Sequence, residues 1–187
     1  RQPLLRNEVY YVLYPNGVVD VVYRWGSDIL PDWFETLRAY RARNNFRRAG
    51  VAFVHVPRAA GLSISRTLYN RDIFHFSASQ MRRVLPADVL NLPRFAIVRN
   101  PWDRTVSAYH FATQGGVPDG AQMAYPERYR GNEFATFEAF ITRYLARQDL
   151  SAIDGVFRPQ STYLFLNDGT LPFDHVGRFE RLGETEQ

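Results

Sequence analysis

Two short segments of this chain combine arginine, small residues and a hydroxyl in an order suited to binding anions. The first covers 55–63 with the sequence HVPRAAGLS, and the second covers 99–107 with the sequence RNPWDRTVS. Each follows an apolar run typical of a buried strand, and each precedes a helical pattern. A turn between a strand and a helix directs unpaired N–H groups and the helix dipole at the same point, which is a favourable place for an anion.

The first segment is the less specific of the two. Gly61 allows the backbone to approach a ligand closely, and Ser63 adds a hydroxyl at the start of the helix. Arg58 offers a planar fork of donors that suits phosphate or sulfate oxygens. An ordinary turn of small residues explains this segment equally well, and the lysine that a standard P-loop requires is missing.

The second segment is more informative. Arg99 stands at the end of a buried strand, where an unpaired charge is costly. Asn100 and Pro101 end the strand, and the next helix brings Ser107 toward Arg99, so that both could contact one anion. The alternative is an ion pair of Arg99 with Asp103, which is also the predicted cap of the helix. Together the two segments predict a ligand with two separate anionic groups, such as a nucleotide phosphorylated at both ends.

Composition excludes several kinds of chemistry. The chain has 187 residues and a net charge of +4, it has no cysteine, and its 23 basic residues are all arginine. Disulfides, thiolate catalysis, cysteine-ligated zinc and a lysine Schiff base are therefore excluded. No spacing typical of metal ligands is evident, and we expect no metal. The modest positive charge suits anionic ligands without implying nucleic acid.

Strand-like runs alternate with helical patterns from residue 51 onward, which predicts an α/β fold with a central parallel sheet. The predicted strands cover 51–56, 95–98 and 173–179. The predicted helices cover 31–43, 63–69, 77–85 with Ser77 as N-cap, 103–111 and 137–145. Ligands of such sheets bind at the carboxyl ends of the strands, where both segments fall.

Other parts of the chain carry weaker signals. Runs at 8–14 and 18–25 flank Pro15-Asn16-Gly17 and predict an N-terminal β-hairpin. The helix at 31–43 has an apolar face of Trp33, Phe34, Leu37 and Tyr40, which we interpret as core packing. The arginine-rich stretch 38–48 is interpreted as a solvated helix end, and the alternatives are a patch that binds nucleic acid or another polyanion, or one that binds a sulfated or acidic glycan. Residues 113–132 predict a long surface loop, of a length often found in functional lids.

The two segments resemble the nucleotide-binding motifs of the sulfotransferase family. PRAAGLS after VAFVHV resembles the 5′-phosphosulfate loop, and FAIVRNPWDRTVSAY resembles the more specific 3′-phosphate motif. The later segments FRPQ at 157–160 and VGRFE at 176–180 are similar to segments of the carbohydrate branch. The resemblance covers 51–180 and implies a P-loop-like three-layer fold, in a single domain over 1–187 with 1–50 outside the resemblance.

The family implies transfer of a sulfuryl group from 3′-phosphoadenosine 5′-phosphosulfate (PAPS) to an acceptor hydroxyl, with a saccharide as the first expectation. The acceptor is expected under the loop at 113–132. By the same resemblance, Arg99 and Ser107 bind the 3′-phosphate, and Arg58 takes the place of the lysine that stabilises the leaving oxygen. The resemblance also implies that the 5′-phosphosulfate is bound by the backbone amides of Ala59, Ala60, Gly61, Leu62 and Ser63.

The resemblance also suggests a base for the acceptor proton. His75 matches a position where carbohydrate-type members often carry a histidine, and a purely structural histidine is the alternative. Glu180 is an outside candidate, and His55 is interpreted as structural. Two other functions stay open: a binding-only domain of the same fold, and a nucleotide-kinase-like enzyme, which would need magnesium ligands and a lysine.

The sequence shows no signals typical of membrane insertion or secretion. No apolar run approaches the roughly 20 residues that span a bilayer. No secretory signal and no Asn-x-Ser/Thr sequon is present. We therefore expect a bacterial cytoplasmic protein rather than one of the Golgi lumen.

Overall fold

The computed structural model describes residues 32–73, 75–117, 122–123 and 125–183. In this part of the chain, three parallel strands form one sheet in the order β1-β2-β3. Strand β1 is Ala52–Val54, β2 is Arg94–Val98 and β3 is His175–Arg178. The three predicted strands and their parallel pairing are confirmed, whereas the predicted hairpin lies outside the described residues.

Helix α1 (Asp32–Ala49) precedes β1, and the other α-helices of the described residues lie between the strands along the chain. They are α2 (Gly61–Tyr69), α3 (Ala78–Val84), α4 (Ala87–Leu90), α5 (Pro101–Thr113), α6 (Phe137–Ala139) and α7 (Ser161–Leu164). Helix α6 continues as a π-turn at Phe140–Tyr144 and a 3-10 turn at Leu145–Arg147, so the helix predicted there is irregular. Further 3-10 turns cover Pro126–Tyr129, Asn132–Phe134 and Phe179–Arg181. Within the described ranges no helix has both the length and the apolarity to cross a membrane.

The helix caps test the sequence analysis directly. Ser77 caps α3 as predicted, because its side chain accepts a hydrogen bond from the Gln80 amide while the Gln80 side chain accepts one from the Ser77 amide. The predicted cap of α5 at Asp103 is wrong. Helix α5 begins two residues earlier at Pro101, and the Asn100 side chain accepts from the Trp102 amide at 2.9 Å. Proline at the first helical position is preorganised for this start.

Helix α1 runs on to Ala49, past the predicted end at residue 43. Tyr40 is 48% exposed, so the predicted core role is wrong for this residue. The arginine-rich end of α1 is solvated as interpreted: Arg47 is exposed and donates to Asp88 of α4 at 2.5 and 3.0 Å. The side chains of Trp33, Phe34 and Leu37 lie outside the described ones.

Two apolar clusters form the core. The first packs α1, α2 and α3 against the sheet, around Phe46, Phe53, Val54 and Met81. The second lies against α5 and is largely aromatic, with Phe111, Phe134, Phe140 and Phe157 at its centre. Part of the predicted surface loop at 113–132 belongs to this second cluster, because Met123 and Tyr129 are buried in it. That end of the loop is anchored in the core.

One buried cation joins separate parts of the chain. Arg104 of α5 is 6% exposed and donates hydrogen bonds to the carbonyls of Pro57 at 3.2 Å, Val156 at 3.1 Å and Arg158. The loop after β1, helix α5 and the segment before α7 are thereby held together. The charge of Arg104 is balanced by carbonyl dipoles, since the described residues provide it with no carboxylate partner.

We predict that Arg104→Met lowers the free energy of unfolding by about 2–4 kcal/mol, because three carbonyls lose their buried donor. Urea titration followed by circular dichroism measures this. Arg82→Met is the matched control: Arg82 pairs with Asp168 at 3.4 Å on the surface, and its loss should cost at most about 1 kcal/mol. Equal effects of the two substitutions would contradict the importance of the Arg104 contacts.

Candidate functional site

The loop between β1 and α2 has an unusual backbone. Arg58 and Ala60 both adopt left-handed φ angles, of 65° and 61°, which are uncommon outside glycine. Such strain costs on the order of 1 kcal/mol for each residue and clusters at binding sites. Left-handed residues in a turn direct neighbouring N–H groups to one side, as in an anion-binding nest. The loop between β1 and α2 thus has two left-handed residues, Arg58 and Ala60, separated by one residue.

Helix α2 begins at Gly61, directly after this loop. The helix has nine residues, and its N-cap, Ala60, provides no side-chain cap. A Cβ atom at position 61 would lie 1.6 Å from Cδ2 of His55, so only glycine fits against that ring. Ser63, in the first turn of the helix, is exposed. The N-terminal amides of α2 are therefore left to solvent or to a ligand.

The turn after β2 is held by side chains from distant parts of the chain. Gln160 accepts a hydrogen bond from the Arg99 amide at 2.9 Å and donates to the Arg99 carbonyl at 2.7 Å. Glu180 accepts from the Asn100 amide at 2.6 Å, and this bond lowers the pKa of the Glu180 carboxyl. The FRPQ and VGRFE segments therefore position the second turn. A carboxylate engaged in this way is a weak base, which disfavours Glu180 for that role.

The guanidinium of Arg99 has partners of a different kind. Its Nη1 donates to the Arg58 carbonyl at 3.4 Å, and its Cζ lies 4.5 Å from the centre of the Phe179 ring. Its Nε is buried without a hydrogen-bond partner. In the described part of the chain no ion pair joins Arg99 to Asp103, so that alternative is wrong. Arg99 therefore has a donor without a protein partner, at Nε, and a charge that no ion pair among the described residues neutralises.

Arg58 and Arg99, from the two segments, meet in one cavity of about 320 Å³. Its polar lining consists of Arg58, Arg99, Asp103, Ser107, His110 and Gln114. Its apolar lining consists of Val106, Phe111 and Val117. Arg58 Nε donates to Ser107 Oγ at 3.0 Å, and Arg58 Cζ lies 4.6 Å from the centre of the Phe111 ring. Burial and repulsion by Arg99 both lower the pKa of Arg58.

The sequence predicts Arg99 and Ser107 at one anion site and Arg58 at another, whereas all three line the same cavity. His110 and Gln114 also line it and were not predicted to do so. The sequence contained a signal for both, because His110 and the C-cap residue Gln114 follow Ser107 at offsets of three and seven residues and so continue the same helix face. The mixture of cationic, hydroxyl and apolar groups suits an anionic group attached to a less polar body.

The candidate base His75 lies elsewhere and does not line this cavity. Its Nδ1 lies 3.1 Å from the His55 carbonyl, and the two imidazole rings have centroids 4.1 Å apart. A carbonyl can only accept, so the proton of His75 sits on Nδ1 and the lone pair on Nε2. His75 is exposed beside the strand that leads into the first loop.

His55 has the features of a structural residue. It is 5% exposed, and its Nδ1 donates to the Ile73 carbonyl at 3.2 Å, closer than the 3.7 Å to Asp72. Burial lowers the pKa of His55 to about 4. The neutral ring fills the space left by Gly61 and so supports the start of α2.

We predict that the protein loses stability as the pH falls from about 6.5 to about 4. In this window the unfolded chain protonates His55 while the folded chain does not, so unfolding is favoured by up to roughly 3 kcal/mol at pH 4. His55→Asn preserves the donor to Ile73 and should lose this part of the pH dependence. Denaturant midpoints at several pH values measure it, and parallel curves for the two proteins would contradict the prediction.

Comparison with known proteins gives one family. A model described as the sulfotransferase family matches residues 45–187, which contain the turns after β1 and β2 and all the residues that line the cavity. No curated protein and no solved structure gives a significant match.

Proposed function

The chain belongs to the sulfotransferase family, and from this we propose that it transfers a sulfuryl group from PAPS to an acceptor hydroxyl on a saccharide. The observation that carries the proposal is the cavity in which Arg58, Arg99 and Ser107 converge. It lies between two turns whose backbone and charge favour anions. The saccharide is proposed because the FRPQ and VGRFE segments resemble the carbohydrate branch, and both segments position the second turn.

The proposed nucleotide site uses both turns. Backbone amides of 60–63 bind the 5′-phosphosulfate at the uncapped start of α2, where the helix dipole adds to the hydrogen bonds. The Ala59 amide, which the sequence predicts as a further ligand, instead donates to the Val56 carbonyl at 3.3 Å. Arg99 and Ser107 bind the 3′-phosphate. Support comes from the buried Arg99 Nε, which has no protein partner and would gain one from a phosphate oxygen.

In the proposed reaction the acceptor oxygen bonds to sulfur as the bond between sulfur and the 5′-phosphate oxygen breaks. The bisphosphate nucleotide leaves with the electron pair. Arg58 and the loop amides stabilise the charge that develops on the leaving oxygen. His75 accepts the proton of the acceptor hydroxyl at Nε2, because its Nδ1 proton is held by the His55 carbonyl.

We predict that the chain binds adenosine 3′,5′-bisphosphate more tightly than 5′-AMP or ATP in calorimetric titrations. Arg99→Ala should weaken bisphosphate binding by about 1.5–3 kcal/mol, roughly 10- to 100-fold, because a charge-assisted hydrogen bond is lost. Arg82→Ala removes an arginine that pairs with Asp168 on the surface, and it should bind like the unaltered chain. Equal affinity for all three nucleotides would exclude PAPS as the donor.

We also predict transfer of labelled sulfate from PAPS to at least one member of a glycan panel. His75→Ala should lower the rate by about 10²–10⁴-fold, as expected for loss of a general base, while affinity for the bisphosphate stays unchanged. Full activity of His75→Ala would exclude this residue as the base. Tight nucleotide binding without transfer to any acceptor would instead identify a binding-only domain.

A further inference from the structure

We infer that Arg58 and Arg99 bind the same anionic group, so that Arg58 is a second guanidinium ligand of the 3′-phosphate. The inference rests on the proposed function and adds to it. Arg58 belongs to the 5′-phosphosulfate loop by sequence, and its proposed role there concerns the leaving oxygen. Its side chain, however, points to the residues assigned to the other end of the nucleotide.

The contacts of Arg58 place it beside the 3′-phosphate ligands. Its Nε donates to Ser107 Oγ at 3.0 Å, and its carbonyl accepts from Arg99 Nη1 at 3.4 Å. The ring of Phe111, one turn after Ser107, stacks against its guanidinium at 4.6 Å. Both the main chain and the side chain of Arg58 are thus tied to this site.

Hydrogen-bond chemistry allows three donors to meet on one anion. Ser107 Oγ accepts from Arg58 Nε, and its own hydroxyl proton is still available to donate. Arg58 presents two terminal nitrogens beyond the Nε that it uses for Ser107. Arg99 contributes the second guanidinium, whose Nε is buried and has no partner in the described part of the chain.

Electrostatics favours a shared ligand over two separate ones. Arg58 and Arg99 carry like charges side by side, and neither has a carboxylate in an ion pair among the described residues. Burial first, and repulsion by Arg99 second, lower the pKa of Arg58. A dianionic phosphate between them removes this repulsion. Asp103 also lines the cavity, so the fixed charge of the two arginines and this carboxylate is +1. That balance suits one phosphate and disfavours a second.

The position needs an arginine for this task. In arginine, Nε can donate to Ser107 while the two terminal nitrogens extend further, to the phosphate. A lysine side chain has a single nitrogen, which would have to make both contacts. The chain has arginine at position 58 where the resembling family motif has lysine. Arginine in place of lysine at position 58 therefore gives this chain one more side chain that distinguishes a 3′-phosphorylated nucleotide from one without that phosphate.

The test compares two nucleotides within each protein variant. The ratio of the dissociation constants of 5′-AMP and adenosine 3′,5′-bisphosphate reports only the contribution of the 3′-phosphate. We expect Arg58→Ala and Arg99→Ala each to lower this ratio at least tenfold when they are measured by calorimetry. Arg66→Ala removes an exposed arginine of α2 and one unit of charge, and it should leave the ratio unchanged.

Two other outcomes distinguish a failure of this inference from a failure of the proposed function. If Arg58→Ala weakens both nucleotides by the same factor, Arg58 acts only at the 5′ end and the inference is overturned while the proposed function stands. If the unaltered chain shows no preference for the bisphosphate, the proposed function and the inference both fail. Should Arg58→Ala not fold, Arg58→Gly fits the left-handed backbone at φ 65° and must show the same fall in the ratio.

Discussion

The geometry of the cavity depends on the buried guanidinium of Arg104. Its three carbonyl partners belong to the loop between β1 and α2 and to the segment before α7, while Arg104 itself belongs to α5. Ser107 lies one turn further along the same helix. Fixing Arg104 against the Pro57 carbonyl therefore brings Ser107 to Arg58, and both loops to a common space.

The residues that hold the second turn in place differ from the residues that line the cavity. The backbone of the second turn is fully engaged by Gln160 and Glu180, which lie far along the chain. The side chains of Arg58 and Arg99 keep donors that the described residues leave without an acidic partner. Rigid backbone with unneutralised cations is the arrangement expected of a preorganised anion site, since little has to move when the ligand binds.

Local chemistry accounts for the parts of the fold that the sequence predicts well. The apolar runs before the two segments become β1 and β2, and Ser77 caps α3, because these outcomes depend on neighbouring residues. The sequence analysis predicted Asp103 as the cap of α5, whereas the structure has Asn100, because the fixed φ of Pro101 favours a helix that begins at that proline. Tyr129 looked like a loop residue because its flanking sequence is polar, yet distant aromatic rings bury it.

The sequence by itself predicts the two turns after β1 and β2, their arginines and the family, because a turn between a strand and a helix is a local structure. The meeting of Arg58 with Ser107 and Arg99 cannot be predicted in this way, because it depends on how α5 is held against the first loop. The same is true of Arg104, which resembles any other arginine of an arginine-rich chain. The residues that bury Arg104 and accept its hydrogen bonds lie about fifty residues away along the chain. Only the packing of these segments distinguishes Arg104, which holds them together, from an arginine on the surface.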